Sequence, residues 1–293
     1  MVCQTHMARS PATASAAPLS FAQAELHRWA LLVVGVGYWG NVVRTARHTD
    51  AAGLAYILEA IVQNGAFCAA AWVMVAVLAR GASAPAVASR GQIAAVIGIC
   101  LLSALPSRQA TVVSLVALGV LFAWSRDARS GRPVAALLVA LAADMAWTSV
   151  YVMPLHARIA LLDARAVRAL WALSGNDLSV HGNLIDNPFN DFGIEVLVRC
   201  ASSYPLAGVW LAFVVTSLYR GRLPRWRDLP WVAASFGASI VLTEFRLSWM
   251  TAREADFLWL HEGDGVTLYT LAAVGMAVLF PMLAARHAAR AGA

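Results

Sequence analysis

Cys200, Arg246 and His261 are the residues whose types and spacing could together do chemistry in this chain. A thiol, a guanidinium and an imidazole make a nucleophile, an anion stabiliser and a proton carrier, the set needed to open a carbonyl. Cys200 lies in DFGIEVLVRCASSYPLAGVW (191–210), where a polar loop gives way to an apolar run. Arg199 is beside it, and nearby positive charge favours the attacking thiolate. Asp191 is expected to cap a helix running through Pro205, with Glu195 and Arg199 spaced i, i+4. The plain alternative is a small apolar filler, the usual role of an intramembrane cysteine.

Arg246 falls in WVAASFGASIVLTEFRLSW, where helical spacing puts it on one face with Ser235, Ser239 and Thr243. Small hydroxyl residues on such a stripe let another helix approach. An arginine inside a span costs at least about 2.5 kcal/mol, so it needs a partner, a task or an escape to the interface by snorkelling. Glu244 is two residues away and on a different face. His261, in FLWLHEGDG, precedes the last apolar run, and Gly265 follows one turn later, small enough to admit a neighbouring helix. His181 is the rival base. Asp144 and Glu59 are acids within apolar runs, and no chemistry is assigned to them.

The elements that must position these residues follow from composition. Hydrophobic residues make up 60% of the 293 and charged ones 13%, with a net charge of +6 and a mean hydropathy of +0.66. That balance points to several spans of about 20 apolar residues. Apolar runs at 29–44, 54–79, 93–106, 109–125, 134–154, 205–219, 229–249 and 265–284 predict an all-α polytopic transmembrane bundle of about eight spans. The third and fourth are short, separated by LPSR, and read as a tight hairpin or one broken element. The basic charge is all arginine, placed in short loops as topology determinants are rather than as a nucleic-acid surface. Thirteen arginines, among them the four at 220–227, fall on one side, which puts both termini in the cytoplasm. On that map 155–204 is extracytoplasmic, and Cys200, Arg246 and His261 share that face.

Residues 1–28 read as a disordered cytoplasmic tail, not a signal peptide, with Met7 a possible start; 29–293 form the integral domain. ARIALLDARAVRALWALSG (157–175) reads as an amphipathic helix on the outer surface, ended by Gly175. NDLSVHGNLIDNPFND reads as a loop rich in turn residues. Cys3, Cys68, Cys100 and Cys200 have neither metal-ligand nor disulfide spacing.

The cysteine at the outer start of one run, the arginine near the outer end of the next and the histidine four residues before a glycine resemble the exosortase/archaeosortase family of membrane sorting enzymes. The resemblance covers about 170–284, including Gly182 and Asn183 ahead of the cysteine. It departs where the family reads CSG and this chain reads Cys200-Ala201-Ser202, and where asparagine precedes the family's arginine and Thr243 stands here. The resemblance implies an inner-membrane cysteine peptidase or transpeptidase acting on exported proteins that carry a C-terminal motif, transmembrane helix and basic cluster. It implies Cys200 as nucleophile, Arg246 as oxyanion stabiliser and His261 as acid and base, among membrane lipids, with no metal or organic cofactor and no nucleic acid. Two other classes compete: a non-enzymatic transporter or envelope-assembly factor with Asp144, Glu59 and Arg246 lining a path, and a lipid-linked glycan enzyme using Asp186, Asp191 and Asp256.

Overall fold

The computed structural model describes residues 23–47, 68, 70–76, 88–124, 128–198 and 200–291. The tail 1–22, Met7, Cys3, Glu59, Arg199 and most of the run 54–79 lie outside the described residues. The described elements are helices α1 (Gln23–Arg47), α2 (Arg90–Ala104), α3 (Arg108–Ala123), α4 (Ala128–Trp147) and α5 (Met153–Ala172), then strands β1 (Ser179–His181), β2 (Leu184–Asn187) and β3 (Phe192–Glu195). Helices α6 (Leu206–Tyr219), α7 (Leu229–Met250), α8 (Glu254–His261) and α9 (Asp264–Ala291) complete the chain.

Local chemistry sets the boundaries. Ser89 caps α2 through a reciprocal pair with Gln92, and the Ser107 hydroxyl accepts from Ala110 N at the start of α3. The break at 105–107 makes α2 and α3 a hairpin of two helices, the first of the two readings of that stretch. Helix α5 ends as expected before Gly175, whose φ of 80° a side chain would resist.

The eight-span bundle is not what forms. Among the described residues one helix, Asp264–Arg290, is long and apolar enough to cross a bilayer, or two if Gly131–Trp147 and Val150–Ala172, bent by 44°, count as one span. The reason is length and charge placement. Helices α2, α3 and α6 have 15, 16 and 14 residues, so each spans only about 21–24 Å of an apolar layer about 30 Å thick. Helix α7 has 22 residues but carries Glu244 and Arg246 together with Ser235, Ser239 and Thr243. The placement of both termini on one side rested on that even span count and falls with it.

Two apolar clusters hold the helices. One joins α1, α2, α3, α4 and α6 around Tyr38, Leu115, Leu118, Leu137, Leu141 and Leu211. The other joins α5, the sheet, the end of α7 and α8 around Ala160, Val167, Ile185, Ile194, Leu247 and Leu260. The stretch expected as a loop is a three-stranded antiparallel sheet in the order β1-β2-β3. Ile185 and Asn187 alternate inward with Leu184 and Asp186, the period of two that a half-buried strand requires. Gly182 (φ 69°) stands first in the two-residue turn between the paired His181 and Leu184, and Asp191 (φ 59°) ends the β2–β3 turn. Asp191 therefore caps no helix.

Asn187 fastens the sheet to α7. It is 2% exposed, donates from Nδ2 to Thr251 O at 2.9 Å and accepts from Phe189 N at 3.1 Å. Asn187→Ala leaves a buried carbonyl and a turn N–H unmatched and should cost about 1–3 kcal/mol. Thermal melting in detergent checks this, with early proteolysis within 176–198 as its local signature. An unchanged melt would mean that the sheet is held by its apolar face alone.

Candidate active site

The three sequence-selected residues meet the second apolar cluster from different elements. Cys200 lies neither in nor at the start of a helix: 200–205 is a run of turns and bends, and α6 begins only at Leu206. Cys200 N donates to Leu197 O at 2.9 Å, and Ala201 N to the same oxygen at 3.1 Å. The Cys200 side chain is half-buried and packs on the cluster that contains Leu247 and Leu260. Leu247 follows Arg246, and Leu260 precedes His261. Glu195 ends β3 instead of lying in a helix and accepts from Asn183 Nδ2 at 3.0 Å; Arg199, its expected partner, lies outside the described residues.

Arg246 does not snorkel into open solvent. Its Nη2 donates to Leu260 O at 3.0 Å, and its guanidinium carbon sits 4.5 Å from the centre of the Tyr269 ring. Arginine thus ties α7 to α8 and α9 by a charged hydrogen bond and a cation–π contact. Its Nε–H is buried and meets no acceptor among the described residues. A buried donor left unmatched is costly unless a ligand or intermediate matches it.

The hydroxyl stripe forms as spaced. Ser235, Ser239 and Thr243 are all buried, and the Thr243 hydroxyl shares a 3.0 Å hydrogen bond with Tyr269 of α9. Glu244 lies off the Arg246 face, as its spacing requires.

His261 is the last residue of α8 and is exposed, directly ahead of α9. Its ring stacks on Phe257 with centroids 4.9 Å apart and planes at 12°. Phe257 packs on the same cluster as Cys200, so one apolar patch supports both the thiol turn and the imidazole. His261 Nδ1 is 3.9 Å from a Glu262 carboxylate oxygen. A Cβ on Gly265 would come within 2.8 Å of the Trp259 carbonyl and ring. The close approach allowed by glycine is therefore to α8 itself. His181 is exposed on β1. Asp144, from α4, receives the Cys68 thiol at 3.8 Å, and Cys68 accepts from the Tyr38 hydroxyl at 3.0 Å, a polar knot among the first-cluster helices.

Residue choice by spacing missed Asp163, Ser202 and Glu244. Asp163 sits on the packed face of α5 between Ala160, Ala164 and Val167, 3% exposed, rather than among the outward charges. Ser202 donates to it twice, from N at 2.9 Å and from Oγ at 2.6 Å. An acid aligned with alanines and valine instead of with Arg158, Arg165 and Arg168 was the available signal. Burial, and then the adjacent Asp163 carboxyl, push the Glu244 carboxyl from 4.5 up to about 9, with Ser202 pulling the other way.

The sign of the pH effect follows. Between pH 4.5 and about 9 the folded protein holds a proton on Glu244 that the unfolded chain has released, so stability falls as pH rises through that window. Melting temperatures measured from about pH 5 to about pH 9 should decline, and Glu244→Gln should flatten the decline. An equal slope in both proteins would place the titration elsewhere.

Comparison of the chain with protein-family models, with curated proteins and with solved structures returned no match.

Proposed function

We propose that this protein is a thiol peptidase or transpeptidase that cleaves C-terminal sorting tails of exported proteins at the extracytoplasmic face of the cell membrane, by way of a thioacyl intermediate. Cys200 attacks the scissile carbonyl, Arg246 stabilises the oxyanion, and His261 protonates the leaving amine and then activates the amine or water that resolves the intermediate. The resemblance to exosortases and archaeosortases supplies the substrate class. The observation that carries the reading is the buried Nε–H of Arg246, a charged donor without an acceptor, next to Leu247 of the cluster on which Cys200 packs. An oxyanion is the acceptor such a donor lacks.

Attachment to the membrane needs far fewer helices than eight. Asp264–Arg290 is apolar and mostly exposed, with Leu268, Leu271 and Leu279 outward, and begins three residues after His261. It would hold the site at the bilayer edge, where a tail helix leaves the membrane.

The test is processing of a co-expressed exported protein with such a tail, at matched levels of each variant. Cys200→Ala should abolish cleavage. Arg246→Lys should lose about 10²–10³ in rate, because an ammonium cannot aim a planar fork of donors at one oxygen. His261→Ala should lose about 10²–10⁴, and His181→Ala little. Cleavage that survives Cys200→Ala would hand the chain to the transporter or assembly reading. Loss with His181→Ala alone would move the proton work to β1.

A further inference from the structure

We infer that Asp163, Ser202 and Glu244 form a proton-sharing clamp that sets the Cys200 turn against the helix carrying Arg246. Asp163 and Glu244 act in it as positioning residues, a role whose catalytic consequence rests on the thiol chemistry proposed above. Ser202 is two residues beyond Cys200, and both oxygens of Asp163 are engaged by its N–H and hydroxyl. The next residue is held as well: Trp147 Nε1 donates to Ser203 O at 2.8 Å. The turn bearing the thiol is thus pinned by α5 on one side and by the end of α4 on the other.

Glu244 brings in α7. It stands two residues before Arg246, is buried where α7 packs on α5, and Asp163 and Ser202 are the neighbours that act on its carboxyl. Its Oε2 is nonetheless buried with no partner. Two ionised carboxylates in that contact would repel, and neither could donate. A single retained proton converts the repulsion into a hydrogen bond and explains why a buried carboxyl oxygen is met by no donor. Asp163 already receives both Ser202 donors, so the retained proton is placed on Glu244. The shared proton then links α5, the Cys200 turn and α7, and fixes the distance from thiol to guanidinium.

The full-length protein in detergent is treated with iodoacetamide, and alkylation of Cys200 is followed by mass spectrometry of its peptide. Tail processing is the second readout. Glu244→Gln, whose amide N–H can donate to Asp163 as the acid does, should keep both rates within about threefold. Glu244→Leu and Asp163→Asn should change Cys200 alkylation by about tenfold and lower kcat with little change in KM. Ser202→Ala keeps the backbone donor, should act in the same direction more weakly, and replaces Asp163→Asn if that variant does not accumulate. The clamp is overturned if Glu244→Gln is as damaging as Glu244→Leu, or if Ser202→Ala leaves Cys200 alkylation unchanged. Alkylation needs no substrate, so processing that persists in Cys200→Ala would sink the proposed function while the alkylation series still decides the clamp.

Discussion

A carboxylate placed in the packed face of a helix must be met by donors or the helix cannot pack there. Asp163 is that carboxylate, and the segment that meets it is the one that contains Cys200. The requirement brings Ser202 to the middle of α5 and keeps the chain from coiling into a helix as soon as it turns apolar. Residues 200–205 stay irregular, α6 starts late at Leu206, and the thiol sits in a turn instead of on a helix face. The sheet, docked on α7 through Asn187, and Trp171, which donates to Ser248 O at 3.1 Å, close the same assembly from the other side.

Arg246 shows how a charge is kept in an apolar helix without being wasted on water. The backbone carbonyl of Leu260 and the face of Tyr269 take part of the guanidinium. Both belong to elements that follow it in sequence, so the arginine also sets where His261 comes to rest. Its buried Nε–H meets no acceptor among the described residues. Cys200, Arg246 and His261 are therefore related through a shared apolar support, in which Phe257 packs against the cluster of Leu247 and Leu260.

High mean hydropathy did not become many spans because hydropathy counts residues, whereas a bilayer measures uninterrupted length. Leu115, Leu118, Leu137, Leu138 and Leu141 are fully buried against other helices; α3, which carries the first two, stops after 16 residues, and α4, which carries the other three, gives way to a bend. Apolar runs that stack on each other and runs that face lipid look alike in a window average.

By itself the sequence determined where helices start and stop when the signal is local. The end of α5 before Gly175 and the hydroxyl stripe of α7 were legible, since each depends on residues within a turn or two of one another; the Ser89 and Ser107 caps are equally local but were not singled out. The small sheet was less so: its Gly, Asn and Pro residues mark turns, and the alternation of Ile185, Asn187 and Ile194 was hidden among them. The candidate site was legible as residue types, Cys200, Arg246 and His261, but not as a geometry. Tertiary structure alone decided that Asp163 meets Ser202, that Glu244 is buried, and that Arg246 answers Leu260. Those contacts join residues 14 and 39 positions apart, and no local propensity encodes a partner that only packing brings to about 3 Å.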